Sequence, residues 1–202
     1  MTSLNDVDAI ADSACAVRSG RVLGTVLRKS RSWRAKPPAE KALIPVAFAL
    51  LGASRAALLV VPFRRIAPLL GEDLGTAAVV PLAGEREVAR ARAVARAVET
   101  AARYAPWQSR CLARAMTARV LLGGAGVPYA LFLGVARADD ADLRAHAWVC
   151  AGPVGVTGGR PFGRFAVVGT FVPRAFARAS GLAPRTLCPD ALPADPVRWG
   201  DV

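Results

Sequence analysis

A chain of 202 residues with 53% hydrophobic composition carries enough apolar material for one substantial core, which excludes disorder throughout. Its four cysteines (Cys15, Cys111, Cys150, Cys188) form no CxxC pair and it has one histidine, which excludes both the framework of a small secreted domain and a Cys/His zinc site. A net charge of +12 suits an acidic partner, yet all but three of the 27 basic residues are arginine set among Ala, Gly and Pro, a bias that codon usage alone produces, and no base-stacking aromatic pattern or nucleic-acid motif accompanies them.

The N-terminus, MTSLNDVDAIADSACAVRSG, has acids where an export signal has basic residues and no continuous apolar segment, so reduced thiols in a cytoplasm are expected. Residues 1–36 read as a weakly ordered arm ending near SRSWRAKPP. Eight basic residues between Arg18 and Lys41 face a single acid, Glu40, which reads as a solvated linker first and an electrostatic docking surface second. A central domain, 37–173, follows.

From Ala39 to Leu70 the apolar density predicts two helices broken near Pro62. The run ALIPVAFALLGASRAALLVVP is interrupted by Pro45 and Arg55, so it is expected to be a buried helix, with membrane contact as the minority alternative and no stable insertion. EDLGTAAVVPLAG then reads as a connecting loop. Glu85 to Tyr104 predicts a long helix burying Val88, Ala91, Ala95, Val98 and Ala102, with Arg86, Arg90, Arg92 and Arg96 outward.

After Pro106 another helix is expected to run to about Leu122 and stop at Gly123-Gly124. The period then shortens: YALFLGVA, HAWVC, GPVGVTG and RFAVVGTFVP predict an antiparallel sheet of three or four strands. The fold class is therefore α+β, helices first and sheet second, with a Cys-bearing helix packed on the sheet. Residues 174–202, rich in Pro and Ala, read as a loosely packed tail.

Ser109 is placed to cap the Cys111 helix, which would set Cys111 in the first turn, where free backbone N–H groups and the helix dipole favour a thiolate. The face Cys111, Ala115, Ala118 and Leu122 directs the thiol to the sheet. His146 lies on the second strand between Ala145 and Ala147, which leave room around the imidazole. Two readings stand side by side: a thiolate–imidazolium pair, and a structural pair of a small buried thiol and a lone histidine.

Trp107-x3-Cys111-Leu112-x-Arg114-Ala115, a Leu-rich helix ending in Gly126 to Pro128, Leu133-Gly134-Val135, and Ala145-His146-Ala147-Trp148-Val149 together resemble the transglutaminase-like cysteine proteases of lasso-peptide biosynthesis. Pro62-Phe63-Arg64-Arg65 and the Arg-rich helix are similar to that family too, and the resemblance spans residues 37 to 160. It implies a peptidase that removes the leader from a ribosomally made precursor before a separate cyclase closes the macrolactam. Cys111 would be the nucleophile and His146 its acid–base partner, with Gln108 and backbone N–H groups as oxyanion donors. The resemblance also implies, as partners, the precursor peptide, the lasso cyclase and a leader-recognition protein. Only some 36 residues precede the matching region, so that last partner is expected to be separate. No cofactor, metal or nucleic acid is called for.

The family usually orients the imidazole with an Asp on the strand after the histidine. Counting back across a turn at Ala151 to Pro153 sets His146 opposite Gly158 or Gly159, and neither carries a carboxylate. The expectation is a Cys111–His146 dyad, its imidazole held by Thr157, a backbone carbonyl or water. The alternative is a catalytically weak or inactive scaffold that binds precursor or cyclase.

Overall fold

In the computed structural model, residues 38–137, 143–159 and 161–181 are described. The N-terminal arm and the tail beyond residue 181 lie outside them. Helix α1 (Pro38–Val60) and helix α2 (Phe63–Leu70) are separated at Pro62, whose extended backbone (φ −61°, ψ 141°) starts the second helix. A proline suits that boundary, since it lacks the N–H that a continuing helix would need.

Contrary to expectation, α1 is not a buried helix. Ala47, Leu51 and Ser54, at i, i+4 and i+7, form its buried line, while Val46, Leu59 and Val60 are exposed at 48%, 70% and 81%. The sequence misleads here because an apolar run has no polar face to show which side is packed. Its segment Lys41–Val60 is long and apolar enough to cross a membrane by length and composition, with mean hydropathy 2.0.

Gly71 follows α2 at φ 141°, where a Cβ would collide with the carbonyl oxygen of Val172. That close approach lets strand β1 (Glu72–Asp73) pair with strand β5 (Ala166–Val172). The region had been expected to be loop throughout. Two residues show no alternation, so only the neighbouring strand reveals them.

Helix α3 (Glu85–Tyr104) opens with Glu87 Oε2 accepting the Gly84 N–H at 2.7 Å. Its core face is Ala91, Val94, Ala97, Val98, Ala101 and Ala102. Val88 and Ala95 of the expected stripe are only half-buried, whereas the four arginines do point outward. An alanine-rich helix has weak contrast among its small residues, so the sequence located the wet face better than the dry one. Helix α4 (Cys111–Gly124) buries Cys111, Ala115, Ala118 and Leu122 as anticipated.

The sheet adds strands β2 (Ala130–Arg137), β3 (Leu143–Ala151) and β4 (Val154–Thr157), in the order β1-β5-β2-β3-β4, every neighbouring pair antiparallel. Alternation along the strands builds two cores. Leu131, Leu133, Ala147 and Val149 cluster with α3 and α4, while Phe132, Trp148 and Val172 cluster with Leu74 and Ala177 on the other side. Ala177 belongs to helix α5 (Arg174–Ala179), so the start of the expected tail is a short packed helix. The architecture is α+β, helices first and an antiparallel sheet second.

Candidate active site

Cys111 is the first residue of α4. The residue before it, Arg110, is the N-cap with extended backbone (φ −64°, ψ 154°) and no side-chain cap; its carbonyl accepts the Arg114 N–H at 3.2 Å. The helix thus starts one residue later than the expected cap at Ser109. The Ser109 carbonyl takes the Arg114 Nε–H at 3.0 Å, and its buried hydroxyl makes no hydrogen bond. The shift leaves the first-turn N–H groups of α4 beside the thiol, where helix polarity favours negative charge.

The thiol and imidazole meet at an edge of the sheet. Strand β4 pairs with β3 only from Val149 onward, opposite Thr157. Beyond the ladder, the Ala147 N–H reaches the Cys111 sulfur at the N-terminus of α4. Cys111 is 7% exposed.

His146 is half-buried. Its Nε2 lies 3.0 Å from the carbonyl oxygen of Gly158. A carbonyl only accepts, so Nε2 carries the proton in the neutral ring and Nδ1 is left as the base. Nδ1 is buried and makes no well-aligned hydrogen bond, although thiol and imidazole are close enough to shift each other's acidity. Among the described residues no carboxylate hydrogen-bonds the imidazole.

Thr157 stands opposite Val149, and its buried hydroxyl makes no hydrogen bond, so it does not hold the ring. Gly158 does so because it is glycine. Its φ of +83° turns the carbonyl out of the ladder, and a Cβ there would collide with Trp148. Gln108 is exposed in the loop before α4.

Burial disfavours the Cys111 thiolate, but His146 and the N–H groups of Ala147 and Leu112 outweigh it and hold the thiol below its ordinary 9.0. The His146 pKa is raised, chiefly by Cys111 and then, against the opposing effect of burial, by the Gly158 carbonyl; Arg164 works in the other direction. Cys150 is the contrast: burial alone pushes it up to about 11, so it stays a protonated packing residue. Among the described residues no group of three or more His, Cys, Asp or Glu comes together as a metal ligand set.

Sequence reasoning missed the aromatic surroundings of the imidazole. The Phe165 ring stacks on His146 with centroids 5.0 Å apart and Trp148 lies at 6.0 Å, while Phe162 meets Trp148 edge-on at 5.4 Å. The signal was present in RPFGRF, where two aromatics flank a glycine turn. Only Arg164 and Phe165 of it entered an expected strand, RFAVVGTFVP, with no ring set against the imidazole.

An activated thiol at a helix N-terminus, beside an imidazole whose far nitrogen is fixed, can attack an acyl carbon and pass a proton to the leaving group. The sequence model of the transglutaminase-like superfamily matches residues 57–170, which include both Cys111 and His146. No curated protein and no solved structure matches the chain. With more than half of its length covered by that match, the chain belongs to the transglutaminase-like superfamily.

Proposed function

We propose that the protein is a cysteine peptidase that removes the leader from a ribosomally synthesised lasso-peptide precursor. The observation that carries this reading is the Cys111–His146 pair, with Nε2 of the histidine tied to Gly158. The motifs around both residues support the narrower choice of substrate.

In the proposed reaction the Cys111 sulfur adds to the carbonyl carbon at the leader–core junction, forming a C–S bond. Backbone N–H groups at the start of α4 steady the developing oxyanion, with Gln108 as the side-chain donor. As the C–N bond breaks, the imidazolium gives its proton to the departing core amine. Water, deprotonated by His146, then attacks the thioester, releasing the leader carboxylate and restoring the thiol. A separate leader-recognition protein presents the precursor, and the freed amine passes to the lasso cyclase.

That no carboxylate among the described residues hydrogen-bonds His146 favours a second reading, a scaffold that binds precursor or cyclase with little catalysis of its own. The two separate in one experiment. The protein is incubated with a lasso-peptide precursor and a leader-binding partner, and peptide masses are read over time. Appearance of leader and core fragments, lost in Cys111→Ala, supports the peptidase; an intact precursor with binding retained supports the scaffold.

A further inference from the structure

The rim of the imidazole is cationic. Arg144 is two residues before His146 on β3, so the two side chains leave the same face about 7 Å apart. Arg164 approaches from the turn between β4 and β5. That turn is fixed by the Pro161 carbonyl, which accepts the N–H of Arg164 at 2.9 Å and of Phe165 at 3.2 Å, and by the stacking of Phe165 on His146.

Both arginines are exposed, and neither makes an ion pair among the described residues. Glu99 and Glu72 are engaged elsewhere, by Arg103 and Arg114 and by Arg174. Phe162, 48% exposed, comes two residues before Arg164, with its ring against Phe132 and Trp148. Arg164 is a like charge near a histidine that must be protonated during the reaction, and it opposes that protonation. An anion bound beside Arg164 removes the opposition.

We propose that Arg144 and Arg164 form an anion subsite that receives acidic side chains of the peptide substrate next to the scissile bond. This assignment rests on the peptidase reading for the position of the scissile bond. The binding site itself does not depend on turnover. Two separated guanidinium groups suit two carboxylates, or one carboxylate and a backbone carbonyl.

The test uses two alkylating probes that differ in charge. Iodoacetate and iodoacetamide both react as the Cys111 thiolate displaces iodide to form a C–S bond, and the ratio of their rates reports the charge felt at the sulfur. At low salt the full-length protein is expected to favour iodoacetate. Arg144→Gln and Arg164→Gln are each expected to lower the ratio roughly two- to fivefold, the double variant more, with Arg→Lys variants retaining it. Arg86→Gln, on the outward face of α3, should leave it unchanged, and salt should erase the preference. A double Gln variant with native circular dichroism and an unchanged ratio overturns the subsite. If Cys111 is alkylated no faster than Cys150, the nucleophile reading fails separately, while the ratio at Cys111 still decides the subsite. With an active preparation, replacing acids near the cleavage point of the precursor by Asn or Gln should raise KM in the parent and have no effect in the double variant.

Discussion

The Gly158 carbonyl oxygen lies 3.0 Å from Nε2 of His146, in the place where a triad would present a carboxylate. A backbone carbonyl fixes the tautomer and orientation of the ring. Having no full negative charge, it stabilises the imidazolium less than an aspartate would.

Gly158→Ala is therefore expected to damage both stability and turnover. The residue would be strained at φ +83° and its Cβ would press on Trp148, so a loss of about 1–3 kcal/mol in stability is expected. Displacing the carbonyl should lower kcat more than it changes KM. Urea denaturation and steady-state kinetics check the two effects, and full activity in a destabilised variant would remove Gly158 from its positioning role.

Thr157→Val tests the other hydroxyl beside the site. The Thr157 oxygen is buried without a hydrogen bond, so an apolar replacement of similar shape should be neutral to stabilising by about 1 kcal/mol and keep kcat within about twofold. A collapse of kcat with normal folding would show that the hydroxyl orients the ring after all.

Cys111→Ala is expected to abolish cleavage of the precursor with no loss of fold, since alanine suits a helix start and the thiol packs against small residues. Cys150→Ala should leave cleavage intact, because its thiol stays protonated through neutral pH. Mass spectrometry of the reaction separates these outcomes. The reverse pattern would identify Cys150 as the nucleophile.

The pH profile of kcat/KM should be bell-shaped. The thiolate is lost as pH falls through a pKa held below 9.0, and the imidazolium is lost as pH rises through a pKa held above 6.5; both values belong to the coupled pair. Arg164 opposes the imidazolium, so Arg164→Gln should move the alkaline limb to higher pH. A shift to lower pH would contradict the placement of that charge.

Much of the chain was legible from residue patterns. The break at Pro62, the limits of α3, the stop of α4 and the four longer strands follow from proline, glycine and a change of hydrophobic period, all local signals. Cys111 and His146 stood out for the same reason, one at a helix start and the other flanked by alanines on a strand.

Three features needed the folded chain. Strand β1 exists because Gly71 lets two residues lie against Val172, and the packed side of α1 is chosen by neighbours distant in sequence. The partner of His146 is a main-chain oxygen, and every residue has one. Sequence could count Gly158 to the right position, but only the left-handed turn and the early end of β4 decide that its carbonyl, and not the Thr157 hydroxyl, meets the imidazole. Side-chain identity is written residue by residue, whereas the direction of a carbonyl is set by backbone angles and the packing that holds them.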